Sequence, residues 1–284
     1  MPERLGVVVH PARPLDGPIN ALMRWADRHG AEVVQIAVPG QDRRVAPVGQ
    51  AADCDLIVSI GGDGTMLAAI RAALAAGRPA LGLACGSLGV LTEVEAHELD
   101  SALDRFSAGD WSPRRLPALA IACEDAGELV ALNDLVIVRA GIGQVRVSSH
   151  VDGVLFTRLA GDGCIVSTPL GSSAYSLAAG SALITPDTDA YLLTPLPTHG
   201  GSHVPLVVSA RSTLELEVTT GIGGARLEID GQVIDTVPRR LTIVLRPDVA
   251  TLVAFADTEP LFVSLRRRQL LLDSPRIIAD DGDA

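Results

Sequence analysis

The chain has 284 residues, 48% hydrophobic and 20% charged, with a formal net charge of −11. That balance suits a globular protein with a full core and excludes general binding to nucleic acid or to anionic membranes. Lysine is absent, so all 23 basic residues are arginine, which excludes a GxxxxGK[ST] P-loop, a protein-kinase strand lysine and any Schiff-base lysine.

No apolar run is long enough to cross a bilayer; "LGVVVH" and "DLIVSI" are strand-sized. The opening "MPERLGVVVHPARP" lacks the basic, apolar, small-residue order of a signal peptide, and a cytoplasmic location is expected. Cys54, Cys85, Cys123 and Cys164 form no C-x-x-C pair and lie in or beside apolar runs, so reduced, buried thiols are expected.

In chain order, 4–10 reads as a strand, 19–30 as an amphipathic helix ended by Gly30, and 31–38 as a strand. A strand follows at 55–60, a helix at 65–77 with Gly77 past its end, a strand at 79–85 and a helix at 95–109. Alternation of this kind implies a parallel sheet covered by helices. From about residue 117 the segments become short, β-branched and bounded by turns, with hairpin signals at Asp152-Gly153 and Asp230-Gly231. Only 173–184 looks helical in that stretch. A terminal helix is expected over 259–272, and the final "ADDGDA" has a disordered composition. The expected fold is therefore an α/β N-terminal domain over 1–116 and an all-β sandwich over 117–258. The C-terminal segment 259–284 is expected to pack back on the first domain.

Four stretches could carry chemistry. Gly61-Gly62-Asp63-Gly64-Thr65 joins a strand to a helix. Its glycines can expose backbone N–H groups, and the helix points its positive end at the same spot, which favours anions. Asp63 then has two readings, a helix cap or left-handed turn residue on one side and a chemical group on the other. "GSLGVLTEV" (86–94) is a second glycine-rich turn after a strand. In "LNDLVI" (132–137), Asn133 and Asp134 are polar groups inside a strand-like run, so they face a ligand or form a turn. "GDGCIVSTPLGSSAYSLAAG" (161–180) combines an acidic turn, a strand, a Ser/Thr/Pro/Gly loop and a helix start.

These motifs, with "TPLPTHGGSHVPLVV" (194–208), "DGQ" (230–232) and "FVSLRRRQL" (262–270), occur in an order that resembles the NAD kinase family over nearly the whole chain. GGDGT is shared with diacylglycerol and sphingosine kinases, whereas the 161–180 block is specific. The resemblance implies a fold related to that of diacylglycerol kinases. It also implies transfer of a phosphoryl group from ATP, or polyphosphate, to the 2′-hydroxyl of the adenosine ribose of NAD, with Mg²⁺ as cofactor and a homodimer or homotetramer as the assembly. It casts Asp63 as general base, with Gly61, Gly62, Gly64 and Thr65 around the phosphates. Asn133 and Asp134 match the pair that grips the NAD adenosine, Asp162 the acid near the nicotinamide, and Ser173, Ala174 and Tyr175 a stretch lining the same pocket. Thr168, Gly171 and Ser172 lie in its loop.

The chain departs from the family pattern at several positions. Asp134 stands for Glu, Ser173 for Thr and Val90 for Phe, and the 198–205 segment carries Val204 in place of an Arg, with two glycines before it. The departures leave two other readings, a paralogue that binds NAD or NADP without turnover, and a kinase of another small molecule.

Overall fold

The computed structural model describes residues 1–86, 89–92, 94–124, 127–201, 203–234, 236–256 and 259–277. The "ADDGDA" tail lies outside the described residues, as do Ser87, Leu88 and Glu93 of the second glycine-rich turn. The chain divides into two compact units, one of residues 1–114 and 250–284 and the other of residues 115–249.

The first unit runs β1 (Arg4–Val9), α1 (Asp16–His29), β2 (Glu32–Ile36), β3 (Val48–Gly49), β4 (Leu56–Gly61), α2 (Asp63–Ala76), β5 (Ala80–Ala84), β6 (Val94–Glu95) and α3 (Leu99–Ala108). The strands pair in parallel in the order β5-β4-β1-β2-β3. Every residue of β4 and β5 is buried, as expected for a parallel sheet covered on both faces. Leu5, Val7, Val9, Leu56, Val58 and Ile60 pack against Leu22 and Trp25 of α1 and Leu99 and Leu103 of α3. Gly30, Gly77 and Gly109 close the three helices in the left-handed conformation. Three helix starts differ from the sequence reading, the first being α1, which begins at Asp16 rather than 19. The second helix begins at Asp63 rather than 65, and the 95–109 segment opens with a 3₁₀ turn at Ala96–Glu98.

Among its described residues the second unit is all-β apart from one short helix. It comprises β7 (Ser112–Cys123), β8 (Gly127–Ala131), β9 (Asp134–Arg139), β10 (Val145–Val151), β11 (Val154–Gly161), β12 (Gly163–Ser167), α4 (Tyr175–Ala178), β13 (Ala190–Pro195), β14 (Leu206–Ser209), β15 (Leu214–Thr220), β16 (Ala225–Ile229), β17 (Gln232–Ile234) and β18 (Arg240–Ala254). One sheet runs β11-β10-β15-β18, and the other runs β14-β13-β12-β9-β16-β17. Alternate residues of both sheets, among them Val145, Val147, Leu216, Leu241, Leu135, Ile137, Val166 and Leu193, form one core, the arrangement of a β-sandwich. Asp152 and Asp230 have φ of 51° and 48° ahead of Gly153 and Gly231, which gives both hairpin turns their left-handed pairs.

The helix expected over 173–184 is instead a 3₁₀ turn at Gly171–Ser173 followed by the four-residue α4. Serine side chains there bond to nearby backbone carbonyls, which competes with a helix, and Gly180 turns at φ 81°. Beyond the sandwich, α5 (Leu261–Arg267) is shorter than the expected terminal helix. No helix among the described residues is long and apolar enough to cross a membrane, and all four cysteines are free.

Candidate functional site

The site residues fall into two sets, one in each unit. In the first unit β4 delivers the chain to Gly61 and Gly62, and α2 starts at once with Asp63. The turn is too tight for a side chain at Gly61, where a Cβ would lie 2.3 Å from Thr65 Oγ1. The first intrahelical bond runs from Met66 N–H to Gly62 O at 3.0 Å. The N–H groups of Asp63, Gly64 and Thr65 are thus first-turn donors with no helix partner, and nothing crowds Gly64 within 4 Å of where its Cβ would stand. Open donors at the positive end of a helix suit an anion.

Asp63 does not cap its own helix. Its carboxylate crosses to the second glycine-rich turn, where Oδ1 accepts from Leu91 N–H and Oδ2 from Val90 N–H, each at 3.1 Å. Arg268 Nη1 also donates to Oδ2, at 3.3 Å. Gly89 permits this approach, since a Cβ there would fall 1.9 Å from Oδ1. Val90 acts through its backbone, so the change from Phe leaves that hydrogen bond available. Beside the same turns lies Arg13, whose Nη1 donates to Cys85 O at 2.6 Å and would stand 3.4 Å from a Cβ on Gly86 and 3.8 Å from one on Gly62. His10 shapes its loop by accepting the N–H groups of Ala12 and Arg13 on Nδ1. Neither Arg13 nor Arg268 was singled out from sequence. The run "HPARP" after the first strand was the available signal for Arg13. The signal for Arg268 was the arginine cluster of 266–268.

In the second unit Asn133 and Asp134 sit where the 127–139 segment breaks into two strands. The Asp230 carboxylate supplies the missing ladder, with Oδ1 accepting from Asn133 N–H (2.6 Å) and Asp134 N–H (3.0 Å) and Oδ2 from Leu132 N–H (3.0 Å). On the other side, Thr168 N–H donates to Asn133 O at 2.9 Å, Thr168 Oγ1 donates to Leu132 O at 2.7 Å, and Gly171 N–H donates to Thr168 Oγ1 at 3.0 Å. A Cβ on Gly171 would stand 2.0 Å from Asn133 O. Asn133, Asp134, Thr168, Gly171 and Ser172 therefore form one cluster. Ser172 and Ser173 spend their hydroxyls on Pro169 O and Leu170 O. The unspent groups are different ones: Asn133 Oδ1 is buried with no partner among the described residues, and Tyr175, beside Ala174, is 44% exposed.

Asp134 is 5% exposed. Burial, then the neighbouring charges of Asp230 and Glu228, push its carboxyl up to about 7, because low-dielectric surroundings and like charges both disfavour ionisation. Asp162 is apart from this cluster, at the opposite end of β12, about 20 Å along the strand at ~3.3 Å per residue. There it takes Arg139 Nε at 2.5 Å, and Gly163 turns at φ 137°, where a Cβ would meet Ile137 O at 1.8 Å. In the altered 198–205 segment, Gly200 and Gly201 both have φ 77°, a conformation that disfavours the bulkier residues of the family pattern. Val204 is 62% exposed and offers no group to an anion.

A family model described as the ATP-NAD kinase N-terminal domain matches residues 20–111, and one described as the ATP-NAD kinase C-terminal domain matches 132–247. An NAD kinase of Ruminiclostridium cellulolyticum is 34% identical over 225 residues, covering 75% of this chain and 78% of that protein. One of Koribacter versatilis is 35% identical over 242 residues, covering 81% and 85%. Among solved structures, a yeast NADH kinase complexed with NADH aligns over 96% of this chain and 89% of its own, with a TM-score of 0.77 and 21% identity. An Archaeoglobus fulgidus NAD kinase in complex with ATP aligns over 95% and 100%, with a TM-score of 0.74 and 24% identity. Those two likenesses concern the fold, and the sequence matches carry the family: this chain belongs to the NAD kinase family and is a phosphotransferase.

Proposed function

We propose that the chain transfers the terminal phosphoryl group of ATP to the 2′-hydroxyl of the adenosine ribose of NAD, giving NADP, with Asp63 as general base. The observation that carries this reading is the position of Asp63. It is a carboxylate at the first residue of a helix whose free N–H groups suit phosphate, and two backbone donors and one arginine fix its orientation. The like-charge cost of a carboxylate beside phosphate is offset by those helix N–H groups and by Arg13.

In this mechanism the N–H groups of Gly64 and Thr65 hold donor phosphate oxygens, and Arg13 adds charge stabilisation at the same turns. A carboxylate has about four acceptor sites, three of them taken by donors among the described residues, and the hydroxyl proton is assigned to the fourth. The hydroxyl must approach to about 2.6–3.2 Å for that transfer. Alignment and charge stabilisation supply most of phosphoryl-transfer catalysis. Asn133 and Asp134 bind the NAD adenosine. Ser173, Ala174 and Tyr175 line the same pocket, and Thr168, Gly171 and Ser172 form its loop. Asp162, held by Arg139, lies toward the nicotinamide. Polyphosphate offers the same oxygens to the same N–H groups and is a second candidate donor.

Magnesium is read as arriving with the nucleotide. No group of three or more His, Cys, Asp or Glu among the described residues could cage a metal, and Mg²⁺ commonly binds through one or two carboxylates plus substrate phosphates. Asp63 is the carboxylate at the turn, and the ion would neutralise phosphate charge there. Homo-oligomerisation is supported by an apolar groove of about 380 Å³ lined by Val154, Leu155 and Phe156 of β11 and Leu206 and Val207 of β14, both edge strands. A cytoplasmic setting suits the four free cysteines.

The test is NADP formation by purified protein given NAD, ATP and Mg²⁺, beside Asp63→Asn. Product from the native chain and none from the variant is expected. Equal turnover by both would leave Asp63 as a clasp for the second glycine-rich turn.

A further inference from the structure

The terminal helix α5 reaches the glycine turns of its own unit through two contacts. Ser264, 3% exposed, donates its hydroxyl to Gly89 O at 3.3 Å, and Leu265 beside it is buried. One residue past the helix end, Arg268 places Nη1 3.3 Å from Asp63 Oδ2, with side chains 30% and 29% exposed. The pair is 205 residues apart in sequence. Its neighbours are used differently. Arg266 pairs with Asp273 and Arg267 with Glu259, so of these three consecutive arginines only Arg268 turns to Asp63. The Asp63 carboxylate is thus gripped from two directions. Val90 and Leu91 hold it through the backbone, and Arg268 through a charged donor carried on a separate element.

We propose that Arg268 is a positioning residue for phosphoryl transfer. Docking of α5 on Gly89 brings its guanidinium to Asp63 Oδ2 and fixes the carboxylate's rotation, so the C-terminal segment sets the competence of the N-terminal glycine turn. The inference rests on Asp63 acting as the base. Two N–H donors on a carboxylate leave it free to tilt about their shared direction, and a third donor of fixed fork geometry removes that freedom. Misplacement of a reacting group by about an ångström is enough to lower turnover by two orders of magnitude.

The experiment uses the full chain and steady-state kinetics with NAD, ATP and Mg²⁺. Arg268→Ala is expected to lower kcat about ten- to a hundredfold while KM for NAD and for ATP each stay within about twofold. Arg268→Lys is expected to recover part of kcat, and guanidinium chloride at low millimolar concentration to recover part of it in Arg268→Ala. Arg266→Ala, which removes only the exposed pair with Asp273, is expected to behave as the native chain. Melting curves of each variant separate lost folding from lost positioning. Native-like kcat in Arg268→Ala would overturn the inference. So would a raised KM for ATP with kcat unchanged, or a loss that neither lysine nor guanidinium repairs. Full activity in Asp63→Asn would instead remove the reading of Asp63 itself, whereas an inactive Asp63→Asn beside a normal Arg268→Ala removes only the role of Arg268.

Discussion

Gly89 lies so close to Asp63 that a single methyl group on its Cα would stand 1.9 Å from Oδ1 and 2.6 Å from Cγ, as well as 2.6 Å from Thr92 Oγ1. The atoms in the way belong to one hydrogen-bonded set, because Gly89 N–H donates to Thr92 Oγ1 at 2.9 Å and Asp63 accepts from the next two residues. None can yield without breaking a bond. Gly89→Ala should therefore displace the Asp63 carboxylate and lower kcat about a hundredfold, with a smaller effect on KM. Steady-state kinetics beside a melting curve checks this. A variant with native kcat would mean that Asp63 is not needed in this position.

Asp134 makes stability depend on pH in a direction opposite to that of most carboxylates. Its folded-state value is raised from 3.8 to about 7, first by burial and then by Asp230 and Glu228. Between those values the unfolded chain has lost the proton and the folded chain keeps it, so stability falls as pH rises across the window. Above about 7 the charge is forced into the buried site. Asp134→Asn should thus be more stable than the native chain at pH 8, by on the order of 2–4 kcal/mol, and differ little at pH 4. Denaturation at several pH values tests it, and parallel stability curves for the two proteins would rule the effect out.

The alternation of strands and helices was legible because β-branched runs and C-terminal glycines mark their own ends. Gly30, Gly77 and Gly109 each close a helix in the left-handed conformation. The two Asp-Gly hairpins were legible for the same local reason. Most of what escaped was decided by contacts distant in sequence. The break at Leu132–Asn133 depends on a carboxylate about a hundred residues later, since Asp230 takes three consecutive N–H groups. The Ser-rich segment after Pro169 reads as helix by composition, yet its hydroxyls bond to carbonyls and leave only a four-residue helix. The runs around Arg13 and Arg268 show basic residues but do not tell that they lie beside the glycine turns. Only the fold brings the first loop and the last helix to the same glycine turns.

Thr168 links the two halves of the Asn133 cluster. It is fully buried, and its hydroxyl both donates to Leu132 O and accepts from Gly171 N–H. Thr168→Val keeps the shape and removes both bonds, leaving a buried carbonyl and a buried N–H without partners. The expected loss is on the order of 2–4 kcal/mol, read by urea denaturation, together with a raised KM for NAD. Thr168→Ser keeps the hydroxyl and should lose less than 1.5 kcal/mol or so. Equal losses in the two variants would show that the methyl group, rather than the hydroxyl, matters at this position.

Asn133 separates binding from stability most directly. Its backbone is held on both sides, by Asp230 at the N–H and by Thr168 at the carbonyl, and those bonds survive truncation of the side chain. Its Oδ1 is buried with no donor among the described residues. A buried acceptor without a partner costs free energy in the unliganded protein, and a ligand that donates to it recovers that cost on binding. Asn133→Ala should therefore leave the unliganded protein within about 1 kcal/mol of native stability, or slightly above it. The same change should raise KM for NAD at least tenfold and leave KM for ATP nearly unchanged. Melting curves with and without NAD read the first effect, because the NAD-induced rise in Tm should shrink in the variant even though the starting Tm does not fall. A variant that loses stability without ligand and retains the full NAD-induced rise would make Asn133 a scaffold residue whose side chain does not touch the nucleotide.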